Sequence, residues 1–312
     1  MKFTFLGTSA GKPTKKRNVS ALAFEVENES GWYLFDCGEA TQHQILKTPL
    51  SINKLKAIFI THLHGDHIFG LFGLLTSRKL DKCTLPLKIY APQGLEDMIR
   101  AVISVDELGY EFEVVEIYGG FEDEFENFYL KVLPLIHSKE SYAFYIKGKS
   151  KYKLNSKKLQ EDGLMPGIEY KDIQRGRDVV KNGKIFKAKE YVEVIEGKRI
   201  IIAGDNAEPD ILGKYLKNLD LLVHEATYTS KAFEKLETKY LHTTAKNLAI
   251  TADEYGVKNL IATHISPRFE GDEILEEIKE YYKGNAFVAN DFDVFRLKDL
   301  LIKECNLLGF MI

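Results

Sequence analysis

Thr61-His62-Leu63-His64-Gly65-Asp66-His67 places three histidines and an aspartate within six positions, directly behind the apolar run Ala57-Ile58-Phe59-Ile60. That run is short, β-branched and aromatic, so it reads as a buried strand. The segment after the cluster, Ile68 to Leu80, has the length and apolar spacing of a helix. The cluster therefore reads as a strand-to-helix loop held by a rigid element on each side. Imidazole and carboxylate are ligands that zinc takes, and a catalytic site leaves one position open. A lone histidine would more often be an ordinary surface or core residue. Four ligand-type groups in the order H-x-H-x-D-H are hard to account for that way.

The bulk numbers bound the answer. The chain has 312 residues, long enough for one large domain or two smaller ones. Its hydrophobic content of 45% and charged content of 29% are those of a soluble globular protein. Net charge is −3, so any nucleic-acid site must be a local patch and not the whole surface. The three cysteines, Cys37, Cys83 and Cys305, lack C-x-x-C spacing. They argue for a reducing compartment and against a disulfide framework. The opening Met1 to Gly7 is strand-like and too short for a signal-peptide core. No apolar stretch is long enough for a membrane-spanning helix. The apolar Leu307 to Ile312 reads as a segment tucked into the core or into a contact between copies.

Ligand-type and acidic residues recur where apolar runs end. Trp32 to Asp36 is a strand whose terminal Asp36 could orient a ligand histidine, cap a short helix over Glu39 to Leu46, or do both. Phe128 to Ile136 delivers His137, and Arg199 to Ala203 delivers Gly204-Asp205-Asn206. Leu221 to Val223 is followed by His224-Glu225-Ala226-Thr227, and Leu260 to Thr263 by His264. His242-Thr243-Thr244 opens a helix to about Tyr255, with either threonine available as its cap. Such residues at strand ends around one crevice are what an α/β site looks like. Phe121 to Phe125 reads as an acidic, aromatic turn, and Ala286 to Phe295 as one closing strand. His43 has no ligand spaced near it and reads as structural or surface.

Two basic stretches stand apart. The loop Gly7 to Asn18 carries Lys12, Lys15, Lys16 and Arg17 within Pro13-Thr14-Lys15-Lys16-Arg17-Asn18. Blandly this is a solvated turn, but Arg and Lys also pair with phosphate oxygens. From Lys147 to Lys189 there are thirteen Lys/Arg against five Asp/Glu, a local excess of +8 by subtraction. Gly163-Leu164-Met165-Pro166-Gly167 breaks that segment with turn residues. It is either a solvated insertion or an arm that grips an RNA backbone by counterion release.

The H-x-H-x-D-H cluster resembles that of the metallo-β-lactamase superfamily. The P-x-K-x-R-N loop, the H-E-A-T tetrapeptide at His224 to Thr227, the His242-Thr243-Thr244 motif and the basic arm together resemble the short form of the ribonuclease Z family, whose members process the 3′ ends of transfer RNA. The resemblance implies an αββα sandwich of two mixed sheets with outer helices, a single domain over 1–312, and a protruding, flexible substrate-binding arm over 147–189. It implies two Zn²⁺ per subunit, though the same N/O ligands also serve Mn²⁺. One ion would take His62, His64 and His137, the other Asp66, His67 and His264, with Asp205 bridging. Asp66 could also accept a proton from water, and His242, oriented by Glu225, is the candidate general acid for the leaving 3′ oxygen. Lys15, Arg17, Asn18, Arg175 and Arg177 are the candidate substrate contacts. The implied partner is precursor tRNA, the implied location the cytoplasm, and the implied assembly a homodimer. The products would be a tRNA 3′-hydroxyl and a trailer 5′-phosphate. The rival readings are another hydrolase of the same fold, acting on a small phosphodiester or thioester, and a non-catalytic RNA-binding protein on a retired hydrolase scaffold. The first gives the arm nothing to do, and the second predicts a broken ligand set.

Overall fold

The structure is a computed structural model that describes residues 1–104, 108–237, 241–298 and 301–304. Cys305 and the apolar Leu307 to Ile312 lie outside the described residues. The chain opens with β1 (Lys2–Gly7), β2 (Ala21–Glu25), β3 (Trp32–Phe35) and the short α1 (Thr41–Ile45). Next come β4 (Leu55–Phe59), α2 (Gly65–Ile68), α3 (Leu71–Leu80), β5 (Leu87–Ala91), α4 (Leu95–Val102) and β6 (Phe112–Glu116). β7 (Glu122–Glu124), β8 (Phe128–Pro134) and β9 (Tyr142–Gly148) lead to β10 (Lys151–Leu154), α5 (Ser156–Glu161), α6 (Ile168–Gln174), β11 (Val179–Lys181), β12 (Lys184–Phe186) and β13 (Val192–Ile195). The last third runs β14 (Arg199–Ala203), α7 (Gly213–Leu216), β15 (Leu221–Glu225), α8 (Ser230–Glu234), α9 (Ala245–Glu254), β16 (Asn259–Thr263), α10 (Gly271–Tyr281), β17 (Asn285–Val288), β18 (Val294–Leu297) and β19 (Leu301–Glu304).

The chain divides into two compact units, one of residues 1–124, 130–146 and 199–312, the other of 125–129 and 147–198. The first holds two sheets, in the orders β19-β18-β1-β2-β3-β4-β5-β6 and β17-β16-β15-β14-β9-β8-β7. The larger is mixed: β1, β2 and β3 pair antiparallel, and β3 through β6 parallel. Strand alternation decides what lies where. Trp32 and Leu34 of β3 join Leu55 and Ile58 of β4 under Leu71, Leu74, Leu75, Leu95 and Ile99 of α3 and α4. Phe35 and Phe59 face the other way and meet Phe144 of β9 at ring separations of 5.5 and 5.4 Å, joining the two sheets. On the far sheet, Leu222, Leu260 and Ala262 lie under Leu216, Leu248, Ile274 and Ile278 of α7, α9 and α10. The result is helices outside two sheets that share an aromatic seam.

Three expectations need correction. Ile68 to Leu80 is not one helix: α2 begins at Gly65 and stops at Ile68, and α3 begins at Leu71. The break lets the backbone pass close to the turn after β3, where a Cβ on Gly70 would sit 2.0 Å from the Gly38 carbonyl oxygen. Phe121 to Phe125 is not a turn. Its centre forms β7 at the edge of the second sheet, where Lys131 of β8 neutralises Glu122 at 2.5 Å. Ala286 to Phe295 is not one strand. Asp293 accepts from the Asn290 amide at 2.8 Å, and the turn sends β17 into one sheet and β18 into the other.

The second unit has its own small core of Leu159, Leu164, Ile173, Phe186, Ala188 and Tyr191. It runs past Lys189 to Lys198 because β13 pairs antiparallel with β10. Asn155 starts α5 by accepting from the Lys158 amide at 3.0 Å.

In the first unit, Phe59 is fully buried and also stacks on Phe35 and Tyr90 at 4.8 and 5.1 Å. Phe59→Ala therefore opens a cavity in the seam and is expected to cost about 3–5 kcal/mol, read from the urea midpoint at unchanged m-value.

Candidate metal centre

The cluster is half loop and half helix. Thr61 to His64 leave β4, while Asp66 and His67 lie on the first turn of α2. His137 follows β8, Asp205 follows β14, His264 follows β16, and Glu225 is the last residue of β15. β14, β15 and β16 run parallel, so their ends open at one rim. Three groups converge there: His62, His64, His137 and Asp205; Asp66, His67 and His264; and Asp205, His242 and His264. Ligand-type atoms within each group lie within 4.8 Å of one another.

Asp205 stands between the first two groups. It is 2% exposed, and its Oδ2 lies 3.5 Å from His62 Nε2, 3.7 Å from His137 Nε2 and 3.3 Å from His264 Nε2. Its Oδ1 is 3.4 Å from His67 Nε2. Burial opposes its charge, but His264, His67 and His62 hold the carboxyl well below the usual range.

Bonds on the outer edge of each ring fix which nitrogen faces inward. His137 Nδ1 donates to the Leu241 carbonyl at 2.7 Å, and His67 Nδ1 donates to Asp36 at 2.7 Å. The Thr61 hydroxyl donates to Asp36 and is left to accept from His62 Nδ1 at 3.0 Å. His264 Nδ1 meets the Ser20 hydroxyl at 2.9 Å. The Nε2 lone pairs of His62, His67 and His137 are thereby aimed at the shared space. His64 Nδ1 completes a set with His62 Nε2 at 3.0 Å and His137 Nε2 at 3.2 Å. One proton cannot satisfy three converging nitrogens, whereas a cation accepts all three lone pairs. His67 Nε2 is buried without a hydrogen-bond partner. Burial also keeps His62 and His64 below the usual imidazole value, in the neutral form that ligates. Burial acts the same way on His67, but Asp205, Asp36 and Asp66 outweigh it and push the ring up to about 10, the mark of a site that calls for positive charge. The donor set fits a divalent metal ion.

Asp36 orients His67 and Thr61 and does not cap α1, whose N-cap residue Ala40 makes no side-chain cap bond. Asp36 and His264 both adopt φ of 55°, strained for residues with a side chain, and both adjoin the centre. A Cβ on Gly38 would meet the Asp66 carbonyl oxygen at 2.4 Å, so this turn closes only over a glycine. His242 lies beside this cluster, in a group with Asp205 and His264. Its Nδ1 donates to both Glu225 oxygens at 3.1 Å. Burial pulls its ring down, yet Glu225 prevails and pushes it up to about 9. Glu225 itself is 1% exposed and also accepts from the Asn206 amide at 2.6 Å and the Thr227 hydroxyl at 2.5 Å.

Of the expected substrate contacts, Lys15 is exposed. Arg17 is not available: it is 7% exposed, and its guanidinium donates to the Thr8 hydroxyl at 2.7 Å, the Ala289 carbonyl at 2.6 Å and Asn290 Oδ1 at 2.7 Å. Asn18 is half-buried and donates to the Glu39 carbonyl at 2.8 Å. Arg175 and Arg177 are exposed in the second unit, Arg177 lying 3.5 Å from Asp172. His224 is buried between the Asn206 amide and the Glu225 carbonyl, and His43 is exposed, away from the centre. The sequence reading missed Ser20, Thr61 and Asn206 as orienting groups. Only Thr61, next to the cluster, carried a signal in the sequence.

Comparison with known proteins decides the family. Residues 1–162, just over half the chain, match the family model described as Anti-Pycsar protein Apyc1. By that match the first half falls within the Apyc1 family, over a span that carries His62, His64, Asp66, His67 and His137 but stops before Asp205, Glu225, His242 and His264. Ribonuclease Z from Bacillus cereus is 42% identical, covering 95% of this chain and 99% of that one. Ribonuclease Z from Marinobacter nauticus is 37% identical, covering 96% and 97%. The chain belongs to the ribonuclease Z family. The crystal structure of human tRNase Z, short form, superposes with a TM-score of 0.67 at 27% identity, covering 96% of this chain and all of that one. The metallo-β-lactamase fold protein YhfI from Bacillus subtilis superposes with a TM-score of 0.68 at 18% identity, covering 94% of this chain and 98% of that one, so this ribonuclease Z family member has the metallo-β-lactamase fold.

Asp36 is not among the ligand-type groups that converge at the centre, so Asp36→Ala isolates the orienting effect. The variant is expected to weaken metal binding about 10–100-fold, measured by chelator competition.

Proposed function

We propose that the chain is a metal-dependent endoribonuclease that removes the 3′ trailer from precursor tRNA, leaving a 3′-hydroxyl on the tRNA and a 5′-phosphate on the trailer. The observation that carries this is likeness to ribonuclease Z over 95% of the chain, a span that takes in the basic second unit as well as the centre. The alternative of a retired scaffold has little in its favour, because every ligand-type residue expected from the motif lies at the centre.

In this reading His62, His64 and His137 hold one Zn²⁺, Asp66, His67 and His264 hold a second, and Asp205 is shared. Ions of this kind supply Lewis acidity, which makes hydroxide available near neutral pH and offsets charge on the phosphodiester. The chain's own residues do the rest. Asp66 is held ionised: burial works against it, but His67, His264 and the Gly11 amide prevail. Its ionised carboxylate is the candidate acceptor of the proton that water gives up. His242, kept protonated by Glu225, has its Nε2 free to donate to the departing 3′ oxygen. Glu225 orients that ring and stays buried, as its five hydrogen bonds require. The basic second unit, with Arg175 and Arg177 exposed, is the arm that grips RNA phosphates.

The free, buried Cys37 and Cys83 suit a reducing compartment such as the cytoplasm. Among the described residues, no helix is long and apolar enough to cross a membrane.

The test is to incubate a precursor tRNA bearing a 3′ trailer with the metal-loaded protein and map the new ends. One metal-dependent cut at the base of the acceptor stem is expected, absent in Asp66→Ala. His242→Ala should slow the cut about 10²–10⁴-fold while keeping its bound metal. No cut by fully loaded protein would remove the RNA reading, and loss of metal from His242→Ala would make His242 a ligand instead of an acid.

A further inference from the structure

Asp291 is a buried carboxylate that the chemistry above does not use. It lies in the turn between β17 and β18, and its oxygens accept three hydrogen bonds from beneath the Thr8 to Asn18 loop. Oδ1 takes the Thr8 hydroxyl at 2.8 Å, and Oδ2 takes the Asn18 amide at 2.6 Å and Gln44 Nε2 at 3.0 Å. Arg17 lies beside it and ties the same Thr8 hydroxyl to Ala289 and Asn290. Thr8 and Asn18 are the two ends of the loop, and they also pair with each other through the Thr8 amide and Asn18 carbonyl at 2.8 Å.

The upper side of this loop reaches the metal centre twice. The Gly11 amide donates to Asp66 Oδ2 at 2.8 Å, the same oxygen that faces His67 and His264. The Ile265 amide, next to His264, donates to the Thr8 carbonyl at 2.9 Å, and the Ala10 amide donates to the Ile265 carbonyl at 3.0 Å. Gly11 can turn its amide toward Asp66 because its φ is +71°, and nothing crowds the position. The loop is therefore held from below by Asp291 and Arg17, and it holds Asp66 and the His264 strand end from above.

We propose that Asp291, assisted by Arg17, is a positioning residue: it locks the Thr8 to Asn18 loop in the one placement that fixes the Asp66 carboxylate and the His264 strand end, with Arg17 turned inward and Lys15 left exposed. The inference rests on the reading of Asp66 and His264 as metal ligands. Folding alone gives little reason for a carboxylate here, since burial pushes Asp291 up to about 6 despite its hydrogen bonds. The same geometry explains why Arg17, basic and in a phosphate-like motif, is turned inward: its charge faces Asp291.

The experiment compares the full-length protein with Asp291→Ala, the isosteric Asp291→Asn and Lys15→Ala. Three quantities are read below the thermal transition: tryptic cleavage after Lys15, Lys16 and Arg17, metal affinity by chelator competition, and kcat and KM on precursor tRNA. Asp291→Asn should be cut faster in the loop, bind metal more weakly and lose kcat on the order of 10–100-fold, as a displacement of a reacting group does. Asp291→Ala should do the same more strongly. Lys15→Ala should raise KM and leave kcat and metal affinity in place. A lowered melting temperature in Asp291→Asn with trypsin sensitivity, metal affinity and kcat unchanged would reduce Asp291 to a structural role and overturn the proposal. If the wild type does not cut precursor tRNA but trypsin sensitivity and metal affinity shift as described, the ribonuclease reading fails and the positioning role stands.

Discussion

A single buried carboxylate imposes the constraint on which the rest of the structure depends. Asp205, almost wholly out of water, faces four imidazole nitrogens at 3.3 to 3.7 Å. A buried charge of this kind is tolerated only where positive charge or donors surround it. Here the imidazoles cannot all supply that, because outer bonds turn the lone pairs of at least three of them inward. The arrangement suits a bound cation, and it accounts for both halves of the sandwich meeting at one rim. His62, His64, Asp66 and His67 come from the first sheet and its helix, and His137, Asp205 and His264 from strands of the second. The aromatic seam of Phe35, Phe59 and Phe144 keeps the two sheets in register beneath them.

In the proposed reading, the chain around this core separates ion-holding from proton transfer. Asp36 serves the ion side, aligning His67 and the Thr61 hydroxyl that in turn aligns His62. Glu225 serves the proton side, holding His242 charged and oriented. Asn206 touches both: its amide bonds Glu225, and its side-chain oxygen takes the Ile136 amide next to His137. The strained backbone at Asp36 and His264 is set where this alignment is decided.

Much of this was legible in the sequence, for physical reasons. The H-x-H-x-D-H cluster could be read from residue type and spacing, and His137, Asp205 and His264 stood out as ligand-type residues where apolar runs end, but their assignment as ligands came from the resemblance to the metallo-β-lactamase superfamily. Arg17 could not be read, because a buried arginine and a phosphate-binding one look the same until Asp291, far away in the chain, is seen beneath it. The break at Phe69-Gly70 and the turn at Asn290 to Asp293 were missed because tertiary contacts set them: the close approach of Gly38 in one case and a change of sheet in the other. β7 was hidden by its acidic composition, which a lysine on the neighbouring strand neutralises. Ser20 and Asn206 carried no local mark, since their roles exist only through partners distant in sequence.

The most direct test is to count metal ions. Elemental mass spectrometry of the full-length protein and of Asp205→Ala, after identical dialysis, asks whether one carboxylate is shared between two groups of ligands. The account predicts two ions per chain in the native protein and depletion of both groups, to well below one ion, in the variant. A variant that keeps its full complement of metal would contradict the account, because Asp205 would then be a neighbour of the centre and not its hinge.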